Sequence, residues 1–126
     1  MDSKKTIAIV EDEAQIRAAL TGLLRALGFE TVAYGSAEAF LAGYSVQRFD
    51  CILIDQNLPG ISGFELAQCL RARQVSAPLI LMTGRDEPAL RQQCKEVGLP
   101  LLIKPLDAAT LKHAIAAAIE AQPAKA

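Results

Sequence analysis

The chain carries a single histidine, three cysteines and no block of like charge, and none of its apolar runs approaches the length of a membrane span. Each scarcity removes a class of function. His113 sits on the last predicted helix with no acidic or cysteine partner nearby in sequence, so it reads as a surface residue rather than a catalyst or phosphocarrier. Cys51, Cys69 and Cys94 lack the spacing of metal ligands and are odd in number. They read as reduced thiols in a cytoplasmic protein, two of them small core hydrophobes among apolar neighbours. A net charge of −1 with only isolated basic residues offers no electrostatic footprint for nucleic acid and argues against DNA binding by this chain alone. The apolar stretch after Met1-Asp2-Ser3-Lys4-Lys5 breaks at Glu11, too early for a secretory signal, so no membrane association is expected.

What is present is apolar: 52% of 126 residues, enough for one well-buried domain and too few for two. Residues 1–121 are expected to form that domain, with 122–126 a tail or the start of a linker. Short apolar runs predict strands at Thr6 to Val10, Glu30 to Tyr34, Cys51 to Asp55, Leu79 to Met82 and Leu101 to Ile103. Between them lie helical patterns. Ile16, Leu20, Leu23, Leu24 and Leu27 repeat at helical spacing up to Gly28, a left-handed cap. Ser36 caps a helix from about Ala37 to Tyr44, with Glu38 in its first turn. Ser62 caps one that ends near Arg71 and Arg73, where positive charge suits the helix dipole. Asp86 to Val97 predicts a polar, weakly amphipathic and mobile helix ended by Gly98, and Asp107 caps an alanine-rich last helix through Leu111, Ile115 and Ile119. Alternation of strand and helix at these lengths implies a parallel sheet with helices on both faces.

The strand ends hold the chemistry. In order they carry Glu11-Asp12, Asp55, Thr83-Gly84 and Lys104-Pro105, at the edge where open parallel sheets bind ligands. Each has an ordinary alternative: Asp55 as a turn former, the acid pair as a solvated helix start, Thr83 as a cap, Lys104 as a surface amine. It is their conjunction that points to a site. Glu11, Asp12 and Asp55 gathered in one cleft repel one another unless a cation intervenes. Oxygen-only ligands with no His or Cys nearby suit a hard cation, Mg2+ above all, which shares its coordination readily with phosphate. A carboxylate beside Mg2+ is a competent nucleophile on phosphorus, and Thr83 and Lys104 would supply a hydroxyl and a charge to the transferred group.

Together these residues resemble the receiver domain of two-component response regulators, over essentially the whole chain. Glu11 and Asp12 match the family's metal-binding acids, Asp55 its phosphoacceptor, Thr83 its switch hydroxyl and Lys104-Pro105 its Lys-Pro. Asn57, whose main-chain carbonyl position completes the family's metal shell, and Leu58-Pro59-Gly60 with Gly63 match as well. Tyr34-Gly35-Ser36-Ala37-Glu38-Ala39-Phe40-Leu41 resembles more particularly the FixJ- and LuxR-type regulators. The resemblance implies a flavodoxin-like (CheY-like) doubly wound α/β fold, a five-stranded parallel sheet of order 2-1-3-4-5 with five helices. It implies a non-enzymatic phosphoacceptor that takes a phosphoryl group from a sensor histidine kinase or phosphotransfer protein onto Asp55 with Mg2+, loses it slowly, and then changes its preference for an output domain or a homodimer partner. It also implies a cis bond before Pro105.

One position departs from the family pattern. Leu101 stands where the family has a Tyr or Phe that swings inward with the threonine, and leucine has neither an aromatic plane nor a hydroxyl. The phosphorylation chemistry is untouched, and output is expected to run through the Gly84 to Val97 segment instead. Two rivals remain at this level: an interaction module of the same fold that works without phosphorylation, and a Mg2+-dependent phosphatase of the haloacid-dehalogenase kind. The latter calls for a second acid two residues after the nucleophile, where this chain has Asn57.

Overall fold

The computed structural model describes residues 4–46 and 48–121. The expected tail or linker start at 122–126 lies outside the described residues. In chain order the elements are β1 (Thr6–Val10), α1 (Ala14–Ala26), β2 (Glu30–Tyr34), α2 (Ala37–Gly43), a 3-10 turn (Tyr44–Val46), β3 (Cys51–Asp55), α3 (Gly63–Ala72), β4 (Leu79–Thr83), α4 (Pro88–Val97), β5 (Leu101–Ile103) and α5 (Ala108–Ala121). The strands form one parallel sheet in the order β2-β1-β3-β4-β5. No helix among the described residues is long and apolar enough to cross a membrane.

Strand periodicity splits the core in two. Ala8, Val10, Ile52, Ile54 and Leu81 face α2, α3 and α4, where Phe40, Leu66, Leu70 and Leu90 meet them. Ile7, Ile9, Leu53, Ile80 and Met82 point the other way, onto Leu20 and Leu24 of α1 and Leu111 and Ile115 of α5. Because both faces are covered, β1, β3 and β4 read as continuous apolar runs rather than alternating ones. Cys51 and Cys94 are buried among these side chains, and burial pushes the Cys51 thiol up to about 12, so it behaves as a small hydrophobe. Tyr34, Phe40 and Tyr44 tie α2 to β2: the Tyr34 and Phe40 rings meet edge to face at 5.0 Å, and Phe40 stacks on Tyr44 at 5.5 Å. Each such pair contributes about 1 kcal/mol beyond its buried area.

Helix ends follow local chemistry with a few corrections. Ser36 Oγ accepts from Ala39 N–H, Asp107 Oδ1 from Thr110 N–H, and Ser62 with Glu65 forms a reciprocal capping box. Gly28 and Gly98 take positive φ past their helices, as expected of left-handed caps. The helix expected from Asp86 starts at Pro88 instead, because a residue before proline disfavours helical ψ and proline suits the first helical position. Asp86 is left outside it and pairs with Arg91. Nor is α4 weakly amphipathic: Leu90 and Cys94 are buried while the residues around them are exposed, which makes a narrow, sharp apolar stripe. Arg71 lies in the last turn of α3, but its guanidinium donates to Val97 O and to Gly98 O, capping the C-terminus of α4. The helix expected to reach Tyr44 ends at Gly43, and Tyr44 opens the 3-10 turn.

Candidate functional site

The parallel register sets four side chains in a row. Val10 lies beside Ile54, Asp55 beside Met82, and Thr83 beside Ile103. The residues ending these strands or following them, Glu11, Asp55, Thr83 and Lys104, therefore emerge at one edge of the sheet. Glu11, Asp55 and Thr83 are the buried polar side chains among the described residues, at 1%, 3% and 1% exposure. Asp12 is exposed at the rim. One carboxylate oxygen from each of Glu11, Asp12 and Asp55 lies within 4.8 Å of the others.

Lys104 is the counter-ion. Its Nζ donates to Asp55 Oδ1 at 2.7 Å and to Glu11 Oε1 at 2.8 Å. The Lys104–Pro105 peptide bond that follows is cis. Burial pushes the Lys104 ammonium down, but its hydrogen bonds to Asp55 and Glu11, with their charges, outweigh this and hold it above the ordinary lysine value. A folded pKa raised above the unfolded one gives stability that is full below the unfolded value and is lost as pH rises through the folded value. The stability gap between metal-free wild type and Lys104→Met is thus expected to be widest near neutrality and to narrow above about pH 10. Urea melts across that range measure it, and a gap that stays constant would refute the assignment.

The remaining partners fix the frame. Glu11 Oε2 accepts from Glu13 N–H at 3.3 Å, and Glu11 N–H donates to Tyr34 O at 3.0 Å, which ties the acid loop to β2. Thr83 Oγ1 accepts from Arg85 N–H at 3.2 Å and does not cap α4. Asn57 lies exposed on the loop after β3. The start of α3 is drawn against that loop: Gly63 N–H donates to Gln56 O at 3.0 Å and Phe64 N–H to Gln56 Oε1 at 2.8 Å. Leu101 is half-buried against α4 and lines an open groove with Pro88, Arg91 and Leu99, away from the acids. His113 is exposed on α5.

Two contributors were not among the expected residues. Gln56 is one. The other is Arg17 in the first turn of α1, whose Nη1 donates to Glu11 O at 2.8 Å and to Asp12 O at 3.3 Å. A cation near a helix N-terminus works against the dipole, and that mismatch was the available signal. The cluster's chemistry is that of a cation site: three oxygen donors, no nitrogen or sulfur, and one ammonium for three carboxylates among the described residues. Such a donor set fits a hard divalent cation.

A family model described as "Response regulator receiver domain" matches residues 7–116. The chain is 32% identical over 126 residues to "Transcriptional regulatory protein FixJ" of Bradyrhizobium diazoefficiens, across 98% of this chain and 62% of that protein. It is 34% identical over 119 residues to "Nodulation protein W" of the same organism, across 94% of this chain and 52% of that protein. The chain thus spans between half and two thirds of the length of these relatives. Among solved structures, FixJ-N superposes with a TM-score of 0.87 at 30% identity, covering 98% of this chain and 100% of that one. Response regulator protein TrrA from Thermotoga maritima, solved in complex with Mg(2+)-BeF, gives a TM-score of 0.79 at 27% identity over 90% and 97% of the two chains.

Proposed function

The chain belongs to the response regulator receiver domain family of two-component systems, and on that premise we propose that Asp55 accepts a phosphoryl group from a histidine kinase or phosphotransfer protein. The observation that carries the reading is Lys104 Nζ bonded to Asp55 Oδ1 in a cluster of three carboxylates. An oxygen of Asp55 attacks phosphorus, the bond from phosphorus to the donor's imidazole nitrogen breaks, and the nitrogen leaves with the electron pair. Lys104 holds the nucleophile in place and offers its charge to the incoming phosphoryl. Thr83, one strand away, would turn its hydroxyl to a phosphoryl oxygen and in doing so release Arg85 N–H.

The metal is Mg2+, which Glu11, Asp12, Asp55 and the main-chain carbonyl of Asn57 would hold. Bound there, it supplies positive charge to the transferred group. The TrrA complex with Mg(2+)-BeF supports this choice. The chemistry is self-directed: acceptance and slow loss of one phosphoryl, with no external substrate turned over. We read residues 1–121 as this domain and place it in the cytoplasm. With Leu101 in the position of the family aromatic, output passes through Gly84 to Val97 toward an output domain or a second copy.

The test is intact mass after acetyl phosphate, with Mg2+ or with EDTA, and mapping of the adduct by tandem mass spectrometry. One phosphate on residue 55 that requires Mg2+ is expected. No adduct, with a known receiver labelled in parallel, would leave the phosphorylation-independent module. Hydrogen exchange of the labelled protein should change within Gly84 to Val97, and unchanged exchange there would remove that output route.

A further inference from the structure

Glu11 and Asp12 do the same chemistry from different supports. Glu11 is buried, its carboxylate held from two sides by Lys104 and by Glu13 N–H. Asp12 is exposed, and its carboxylate receives no hydrogen bond among the described residues. What aims Asp12 is its backbone, and the only side chain among the described residues that holds that backbone is Arg17. One nitrogen, Nη1, spends its two hydrogens on the consecutive carbonyls of Glu11 and Asp12 at 2.8 and 3.3 Å. Among the described residues the guanidinium makes no ion pair with an acid.

The loop after β2 packs against the same group. A Cβ on Gly35 would stand 3.4 Å from Arg17 Nη1 and 3.8 Å from its Cζ, ordinary contact distances, so the guanidinium lies against this loop and a branched side chain there would crowd it. The loop after β2 and the Glu11-Asp12 turn thus meet at one guanidinium.

We propose that Arg17, seated against Gly35, is a positioning residue for the divalent cation, holding the Glu11-Asp12 backbone so that the otherwise unsupported Asp12 carboxylate faces the cluster. The inference rests on the metal reading above. Groups that orient a metal's ligands from behind are worth roughly ten- to a hundredfold in metal affinity. The sign separates positioning from charge. A guanidinium near a cation site repels the cation, so if charge were its main effect, removing Arg17 would tighten Mg2+ binding. If orientation dominates, removing it weakens binding.

The experiment is calorimetric titration of Mg2+ into the wild type, Arg17→Met, Arg17→Lys and Gly35→Val, each with a thermal melt in EDTA. Arg17→Met keeps the apolar stem and is expected to raise the Mg2+ dissociation constant about tenfold. Arg17→Lys, which returns N–H donors to the same region, is expected to recover part of that loss. Gly35→Val crowds the guanidinium without touching the cluster and is expected to weaken Mg2+ in the same direction. If the wild type binds Mg2+ and both Arg17→Met and Gly35→Val bind it equally or more tightly, the inference is overturned. If the wild type binds no Mg2+, the metal reading and this inference fall together.

Discussion

With Asp55→Asn, no phosphate adduct is expected at any Mg2+ concentration, and the metal-free variant is expected to be more stable than the wild type by at least about 1 kcal/mol. An amide oxygen cannot serve as the nucleophile, which accounts for the first part. The second follows from the crowding of charge. With these oxygens no more than 4.8 Å apart and an effective dielectric near 20, each repulsion of Asp55 with Glu11 or Asp12 is worth at least about 3.5 kcal/mol. The attraction to Lys104 at 2.7 Å is worth about 6 kcal/mol on the same scale. Two repulsions together exceed one attraction, and an asparagine oxygen still accepts from Lys104 Nζ. Metal reverses the order. At Mg2+ one hundredfold above its dissociation constant the wild type gains about 2.7 kcal/mol by linkage, whereas the variant has lost a ligand. Urea melts in EDTA and in saturating Mg2+ should therefore cross over. A metal-free variant less stable than the wild type would mean that the Lys104 pair outweighs the repulsion.

Gly63→Ala is expected to be the most damaging single-methyl change in the chain, lowering stability by about 3 kcal/mol and the melting temperature by about 10 °C. A Cβ there would lie 2.3 Å from Asp55 O and 2.8 Å from both Asp55 C and Gln56 Cα. All three are main-chain atoms at the end of β3, so no rotamer relieves the overlap and backbone must move. The gain in helix propensity from alanine is at most about 1 kcal/mol and does not offset it. Because the displaced atoms belong to Asp55, phosphate uptake should fall as well, even at temperatures where the variant is folded. A melting temperature within two or three degrees of the wild type would show that α3 can retreat freely from the strand.

Much of this fold is legible in the sequence because β1, β3 and β4 are buried on both faces and so appear as apolar runs bounded by polar residues. The two outer strands, Glu30–Tyr34 and Leu101–Ile103, are bracketed by Gly28 and Gly98 on one side and by Gly35 and Lys104-Pro105 on the other. The cluster of Glu11, Asp12, Asp55 and Lys104 is legible for a related reason: in a parallel sheet the residue that ends each strand shares an edge with the others. What escapes is any bond made across the fold. Arg71 sits where the dipole of its own helix wants a cation, and nothing local says that it caps α4. Arg17 is visible only as a charge in an unfavourable place. The closeness of Gly63 to Asp55 depends on how α3 returns to β3, which a turn motif suggests without a distance. The start of α4 is different: Pro88 is a local signal, since proline suits the first helical position and disfavours helix in the residue before it.

The bond from Arg71 to the last carbonyls of α4 gives that helix a mechanical asymmetry. Its Gly98 end is pinned to α3, while its Pro88 end, nearest Thr83, is joined to the sheet by the exposed Gly84–Glu87 loop. Leu90 and Cys94 seat the helix on the core between those ends, so α4 is clamped along its length as well as at its Gly98 end, and the stretch left without such a clamp is the Gly84–Glu87 loop.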